Sequence, residues 1–137
     1  MLIDKLSKAV GNRAAYMYPC KLKMAGKKDF LPLHNHRCQW NAYHAVKAGM
    51  AVSIVECVMI NSDGTCTAHY INKLESGECV DYTLGYAWSS CDYRFVRIVD
   101  IEDWQMNTNL TNLKARLCDG MIPWWAKLFG VTPDKVC

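Results

Sequence analysis

Between Ser53 and Leu84 two turn signals separate runs of β-forming residues, and this pattern constrains the chain more than any other feature. Residues 53–61 are apolar and β-branched. Asn61-Ser62-Asp63-Gly64 follows, and Asp-Gly suits a tight hairpin because glycine takes positive φ without steric cost. Residues 65–72 read as a second strand, 73–77 as the next turn and 78–84 as a third strand. A fourth strand is predicted at 93–100, with Phe95, Arg97 and Val99 on one face and Val96 and Ile98 on the other.

Helical patterns flank these strands. Leu2, Leu6 and Val10 recur at helical spacing, and Gly11-Asn12 is the expected stop. Residues 14–24 contain Pro19 and are expected to be partly extended, and 26–29 to form a turn. A second helix is predicted at 35–48, with Asn35 or His36 near its start, Gly49 past its end, and Trp40, Tyr43, Ala45 and Val46 on its apolar side. Residues 110–117 form a further predicted helix, and Pro123 opens a last one through 129. The expected fold class is α+β, an antiparallel sheet flanked by helices. The expected organisation is one domain over 1–137, with a core at 35–99, a basic segment at 1–30 and helices at 108–130.

Of the 137 residues 51% are hydrophobic, enough for a sizeable core. No apolar run reaches the length of a membrane span, so no membrane association is expected. Residues 1–10 mix charged and apolar side chains and lack the apolar stretch of a secretory signal. The eight cysteines contain no CxxC pair, which speaks against zinc ribbons and thioredoxin-like chemistry. Reduced, mostly buried thiols in the cytoplasm are therefore expected. The net charge of +3 is uneven: through Asp29 seven basic residues stand against two acidic ones, a net of +5, and the remainder carries −2.

Cys38, His69 and Asp81 carry the chemistry. Cys38 falls in the first turn of the second predicted helix, where unpaired N–H groups and the helix dipole favour an anion and acidify a thiol. His69 and Asp81 lie equally far from Glu75 at the centre of the second turn. Such residues face each other with Cβ atoms about 4.5–5.5 Å apart. A carboxylate there accepts the imidazole N–H and fixes its tautomer, as the third member of a triad does. With Asp63-Gly64 as a two-residue loop, His69 pairs with Val58, and Glu56 lies diagonally on His69's side. Glu56 is then either an outer acid of the site or an exposed strand residue, and a one-residue slip would move it to the other face.

The stretches Arg37-Cys38-Gln39-Trp40-Asn41-Ala42, Thr67-Ala68-His69-Tyr70-Ile71 and Cys79-Val80-Asp81-Tyr82-Thr83-Leu84 resemble the papain-like cysteine peptidases, particularly their compact transglutaminase-like branch. The likeness covers roughly residues 35–99. It implies Cys38 as nucleophile, His69 as general base and acid, and Asp81 as orienting carboxylate, in acyl transfer at an amide or thioester of a protein or peptide. Protease, deamidase and transamidase chemistry all fit, with no cofactor and no metal. Many such enzymes place a glutamine upstream of the cysteine to complete the oxyanion hole. No glutamine precedes Cys38, and Asn35, His36 and the Cys38 backbone N–H are the candidates instead.

Two other readings stand beside this one. His34, His36 and Cys38 alternate, and with Cys57, His69 or Asp81 they form a candidate zinc set. Alternatively the chain is an inactive relative or a binding module. Its basic start, the aromatic group Tyr82, Tyr86, Trp88 and Tyr93, and Trp124-Trp125 would then engage a protein or nucleic acid, the nucleic acid being less favoured. Outside that reading, Trp124-Trp125 is expected to mark core or helix packing. Oligomeric state is not legible.

Overall fold

The computed structural model describes residues 2–25, 37–84, 91–104 and 106–137. The fold is α+β: a four-stranded antiparallel sheet with helices around it. The elements run α1 (Leu2–Met17), α2 (Cys38–Lys47), β1 (Ser53–Ile60), β2 (Cys66–Lys73), β3 (Cys79–Val80), β4 (Asp92–Val99), a short 3-10 turn (Ile101–Asp103), α3 (Met106–Cys118), α4 (Trp124–Leu128) and α5 (Pro133–Val136). The strand order is β3-β2-β1-β4.

Helix α1 does not stop at Gly11 but continues to Met17, two residues short of Pro19. Gly11 serves packing instead of termination. A Cβ there would lie 2.0 Å from the Gly64 carbonyl oxygen in the β1–β2 turn, so only glycine lets the helix backbone meet that turn. Val10 and Ala14 of α1 then bury against Val58 and Ala68 of the sheet, together with Leu113 and Leu117 of α3 and Val136 of α5. Helix α5, absent from the sequence reading, begins with Pro133 as its first residue, where a missing N–H costs nothing. Pro123 stands one position earlier than expected, as the extended residue capping α4.

Both hairpins are closed by three-residue loops. In the first, Asn61 N–H donates to Thr65 O, Gly64 N–H donates to Asn61 O, and Gly64 has φ of 87°. In the second, Leu74 N–H donates to Glu78 O, Gly77 N–H donates to Leu74 O, and Gly77 has φ of 90°. A type I turn followed by a left-handed glycine produces this loop and shifts the register relative to a two-residue turn. His69 therefore pairs with Cys57, not Val58, and Glu56 pairs with Tyr70. The slip of one residue moves Glu56 to the face opposite His69. In the second hairpin Asn72 pairs with Val80. Asp81 is therefore diagonal to His69, not directly opposite, and stays on its face.

On the other flank, the β1–β4 register shifts between Glu56 and Cys57: Cys57 pairs with Phe95 and Glu56 with Arg97. Val96 is the extra residue of a bulge. The expected set of Phe95, Arg97 and Val99 on one face is thus divided, and Arg97 joins Glu56 on the helix-covered face.

Residues 20–25 bind both outer strands. Leu22 N–H donates to Tyr93 O of β4, while the adjacent Lys23 accepts from Cys79 N–H of β3. Consecutive residues reach both edges only because the sheet curls round. Its inner face encloses Val55, Cys57, Met59, Ile71, Cys79 and Tyr93 with Leu22 and Met24. Among the described residues no helix is long and apolar enough to cross a membrane. The turn expected at 26–29 lies outside the described residues.

Candidate active site

Helix α2 begins at Cys38, three residues later than the predicted start, and ends before Gly49, whose φ is 75°. Ala42 and Ala45 are its buried apolar residues, while Trp40 is exposed. Two buried asparagines hold the helix in place. Asn41 Nδ2 donates to Thr83 Oγ1 at 2.8 Å, tying the first turn of α2 to the loop after β3. Asn72 Nδ2 donates to the Ala42 carbonyl at 2.9 Å, tying the helix to β2. These contacts bring the start of α2 to the part of β2 that β3 no longer covers, since β3 pairs with Asn72 and Lys73 alone.

The three sequence-predicted residues come together there. His69 is buried in the middle of β2, and its Nε2 hydrogen-bonds Asp81 Oδ2 at 2.8 Å. Asp81 is fully buried and fully satisfied. Its Oδ1 accepts from the Thr83 and Leu84 N–H groups at 2.9 and 3.0 Å, and its Oδ2 also accepts the Tyr93 hydroxyl at 2.5 Å. With Nε2 committed to Asp81, Nδ1 is the ring nitrogen left to serve the Cys38 thiol. The thiol also lies 3.4 Å from Gln39 Oε1.

The electrostatics follow from these contacts. Burial works against the Cys38 thiolate, but the hydrogen bond and charge of the His69 ring, with a backbone hydrogen bond at Tyr70, bring the thiol below its usual 9.0. Burial likewise works against a charged His69. Hydrogen bonds to Asp81 and Cys38, and their negative charges, outweigh it and raise the ring from 6.5 to about 10. Asp81 is lowered: burial opposes its charge, and His69, Tyr93 and the Leu84 N–H more than compensate. The set favours a thiolate beside an imidazolium, braced by a carboxylate.

The neighbouring thiols behave otherwise. Cys57, opposite His69 on β1, is pushed well up by burial and then by the Asp81 charge. Burial also raises Cys79, and raises Cys118 to about 11. Cys66 is raised by its contact with Cys137, 3.8 Å away, and that contact lowers Cys137. Cys38 is the lowered thiol that has an imidazole and a carboxylate behind it.

Of the other site candidates, Asn35 and His36 lie outside the described residues, as does His34 of the zinc reading. Among the described residues no group of three or more His, Cys, Asp or Glu is arranged to hold a metal ion. Glu56 has no contact with His69. It is fully buried on the other face, accepting from Tyr70 Oη at 2.6 Å, Arg116 Nη2 at 3.0 Å and Arg97 Nε at 3.3 Å. Tyr82 and Tyr93, expected as binding aromatics, are buried, and Tyr93 belongs to the site. Tyr86 and Trp88 lie outside the described residues. Trp124 and Trp125, expected in core or helix packing, are exposed on α4 with Leu128, and Phe129 just past its end is exposed too.

Asn41, Thr83 and Tyr93 are the site residues that sequence reasoning missed. Asn41 sits one helical turn after Cys38 on a side otherwise filled by alanines, and a polar residue there needs a partner; that was the available signal. No family model, curated protein or solved structure matches this chain.

Proposed function

We propose that the chain is a cysteine-dependent acyl-transfer enzyme acting on an amide or thioester, with the compact papain-like or transglutaminase-like placement of its triad. The observation that carries the reading is the placement of a buried cysteine at a helix start with a buried imidazole whose Nε2 is taken at 2.8 Å by a fully satisfied carboxylate; the lowered thiol agrees with it. Cys38 attacks the carbonyl carbon as thiolate. His69, protonated, gives its proton to the leaving amine, and a thioacyl-enzyme remains. Water activated by His69 then releases the acid, or an amine takes the acyl group. The Cys38 N–H opens α2 and has no intrahelical acceptor among the described residues, which suits it to the oxyanion. Substrates are proteins or peptides, and the need to keep the nucleophile reduced suits the cytoplasm.

Incubation with an activated acyl ester and intact-mass analysis tests this. One acyl adduct is expected, mapped to Cys38, absent in Cys38→Ala and strongly slowed in His69→Ala. Acylation spread over several cysteines, unchanged in His69→Ala, contradicts it.

A second reading, a protein-binding module, is favoured by the exposed Trp124 and Leu128 on α4 and Phe129 at its end. Partner capture that survives Cys38→Ala but not Trp124→Ala would support it.

A further inference from the structure

The bulge at Val96 has a consequence beyond register. It turns Arg97 towards Glu56, where Arg116, in the last turn of α3, meets them. Glu56 is wholly buried, and its carboxylate is used in full. Oε1 accepts from Arg97 Nε at 3.3 Å and from Arg116 Nη2 at 3.0 Å; Oε2 accepts from Arg97 Nη2 at 3.4 Å and Tyr70 Oη at 2.6 Å. The carboxylate is therefore a brace. It cannot leave without stranding a charge in the interior.

One carboxylate does not neutralise two guanidinium groups, and among the described residues neither arginine has another acidic partner. Each guanidinium has five N–H donors, most of them unspent on Glu56, and both side chains are 48% exposed. A positive charge with donors facing solvent is thus held in fixed orientation. Guanidinium forks match carboxylates in two-point hydrogen bonding.

The group connects to the thiol through Tyr70. Tyr70, which gives its hydroxyl to Glu56, packs in one apolar cluster with Cys38 and meets the thiol through its backbone. Trp104 stands edge-on to the Tyr70 ring, 4.9 Å between centroids, and its buried Nε1–H has no acceptor among the described residues. The buried Tyr70 side chain and the Glu56 carboxylate stand between Cys38 and the arginine pair.

We propose that Arg97 and Arg116 form a carboxylate-binding subsite beside Cys38, so that the acyl substrate carries an acidic side chain near the bond that is broken. The proposal rests on the cysteine-dependent reading for its catalytic meaning, while binding tests the subsite alone.

The test has two arms. Blocked peptides that differ only by Glu or Gln are titrated calorimetrically into the full chain. The same sequences bearing a chloromethyl ketone are then used to alkylate Cys38. The wild type is expected to prefer Glu about tenfold in both arms. Arg116→Gln should abolish the preference and Arg116→Lys retain part of it. Equal binding of the Glu and Gln peptides to the wild type, or a preference that survives in Arg116→Gln, overturns the proposal. A Glu preference in binding without selective Cys38 alkylation supports the subsite and counts against the nucleophile.

Discussion

Asp81 takes His69 by Nε2, at 2.8 Å, and so decides which nitrogen of that ring is left for Cys38. The polarity is set from behind: Thr83 N–H, Leu84 N–H and Tyr93 Oη hold the carboxylate, and the carboxylate holds the ring. An imidazole fixed in this way presents Nδ1 in one orientation, and a thiolate beside it is paired when it forms.

Replacing Asp81 with Asn tests that chain of control. The amide oxygen still accepts from Nε2, but the charge that raises His69 is gone. The ring should titrate well below its present value of about 10, and Cys38 should lose part of its acidity. Alkylation of Cys38 at neutral pH is expected to slow about 10- to 100-fold. NMR titration of the His69 ring in both proteins checks the direction; an unchanged midpoint would detach Asp81 from the ring's electrostatics.

The pH dependence of stability follows from the same three groups. His69 is raised, so its contribution is complete below its unfolded value of 6.5 and is lost as pH rises through about 10. Asp81 is lowered, so its contribution holds above 3.8 and is lost as pH falls through its depressed folded value. Cys38 is lowered too, and its contribution is complete above 9.0 and is lost as pH falls through its folded value. Thermal melts from pH 3 to 11 should show the His69 contribution falling away between about pH 6.5 and 10, and His69→Ala should remove that limb. A limb of the same size in the variant would assign it elsewhere.

The hydrogen bond from Asn41 Nδ2 to Thr83 Oγ1 ties the helix that begins at Cys38 to the loop that carries Asp81. Asn41→Ala leaves the Thr83 hydroxyl buried without this donor and should cost about 1–3 kcal/mol. A double-mutant cycle with Thr83→Val is expected to give a coupling of about 1 kcal/mol. Denaturant melts measure it, and additive losses would show that the two side chains do not act together.

How far the fold can be read from the chain depends on the kind of contact. Strand and helix identity are local, and apolar periodicity places all four strands. Register is less local. Gly64 and Gly77 are each the third residue of a three-residue loop, and taking Asp63-Gly64 as the whole loop moved Glu56 across the sheet. The second hairpin departs from the expected register by a step that preserves face, so Asp81 remains on His69's side. Arg97 changed sides because a bulge at Val96 leaves little trace in an apolar run. Tyr93 and Thr83 reach the site through loops and curled strands, and no local pattern carries that information.

Gly11 separates fold from chemistry. Gly11→Ala drives a methyl group into the Gly64 carbonyl, and α1 must move off the turn. A loss of about 2–3 kcal/mol is expected, in the range of overpacked cores. The pH profile of Cys38 alkylation in the folded fraction should remain as in the wild type. Equilibrium unfolding checks the first part and peptide-mapped alkylation the second.

The most direct test of the thiolate–imidazolium pair is the rate of iodoacetamide alkylation at Cys38 as a function of pH, read peptide by peptide in the wild type and in His69→Ala. The pair predicts a wild-type midpoint below 9.0, a second inflection near pH 10 as His69 loses its proton, and a midpoint above 9.0 once the ring is removed and burial is opposed only by the Tyr70 backbone hydrogen bond. The same midpoint in both proteins would contradict the account.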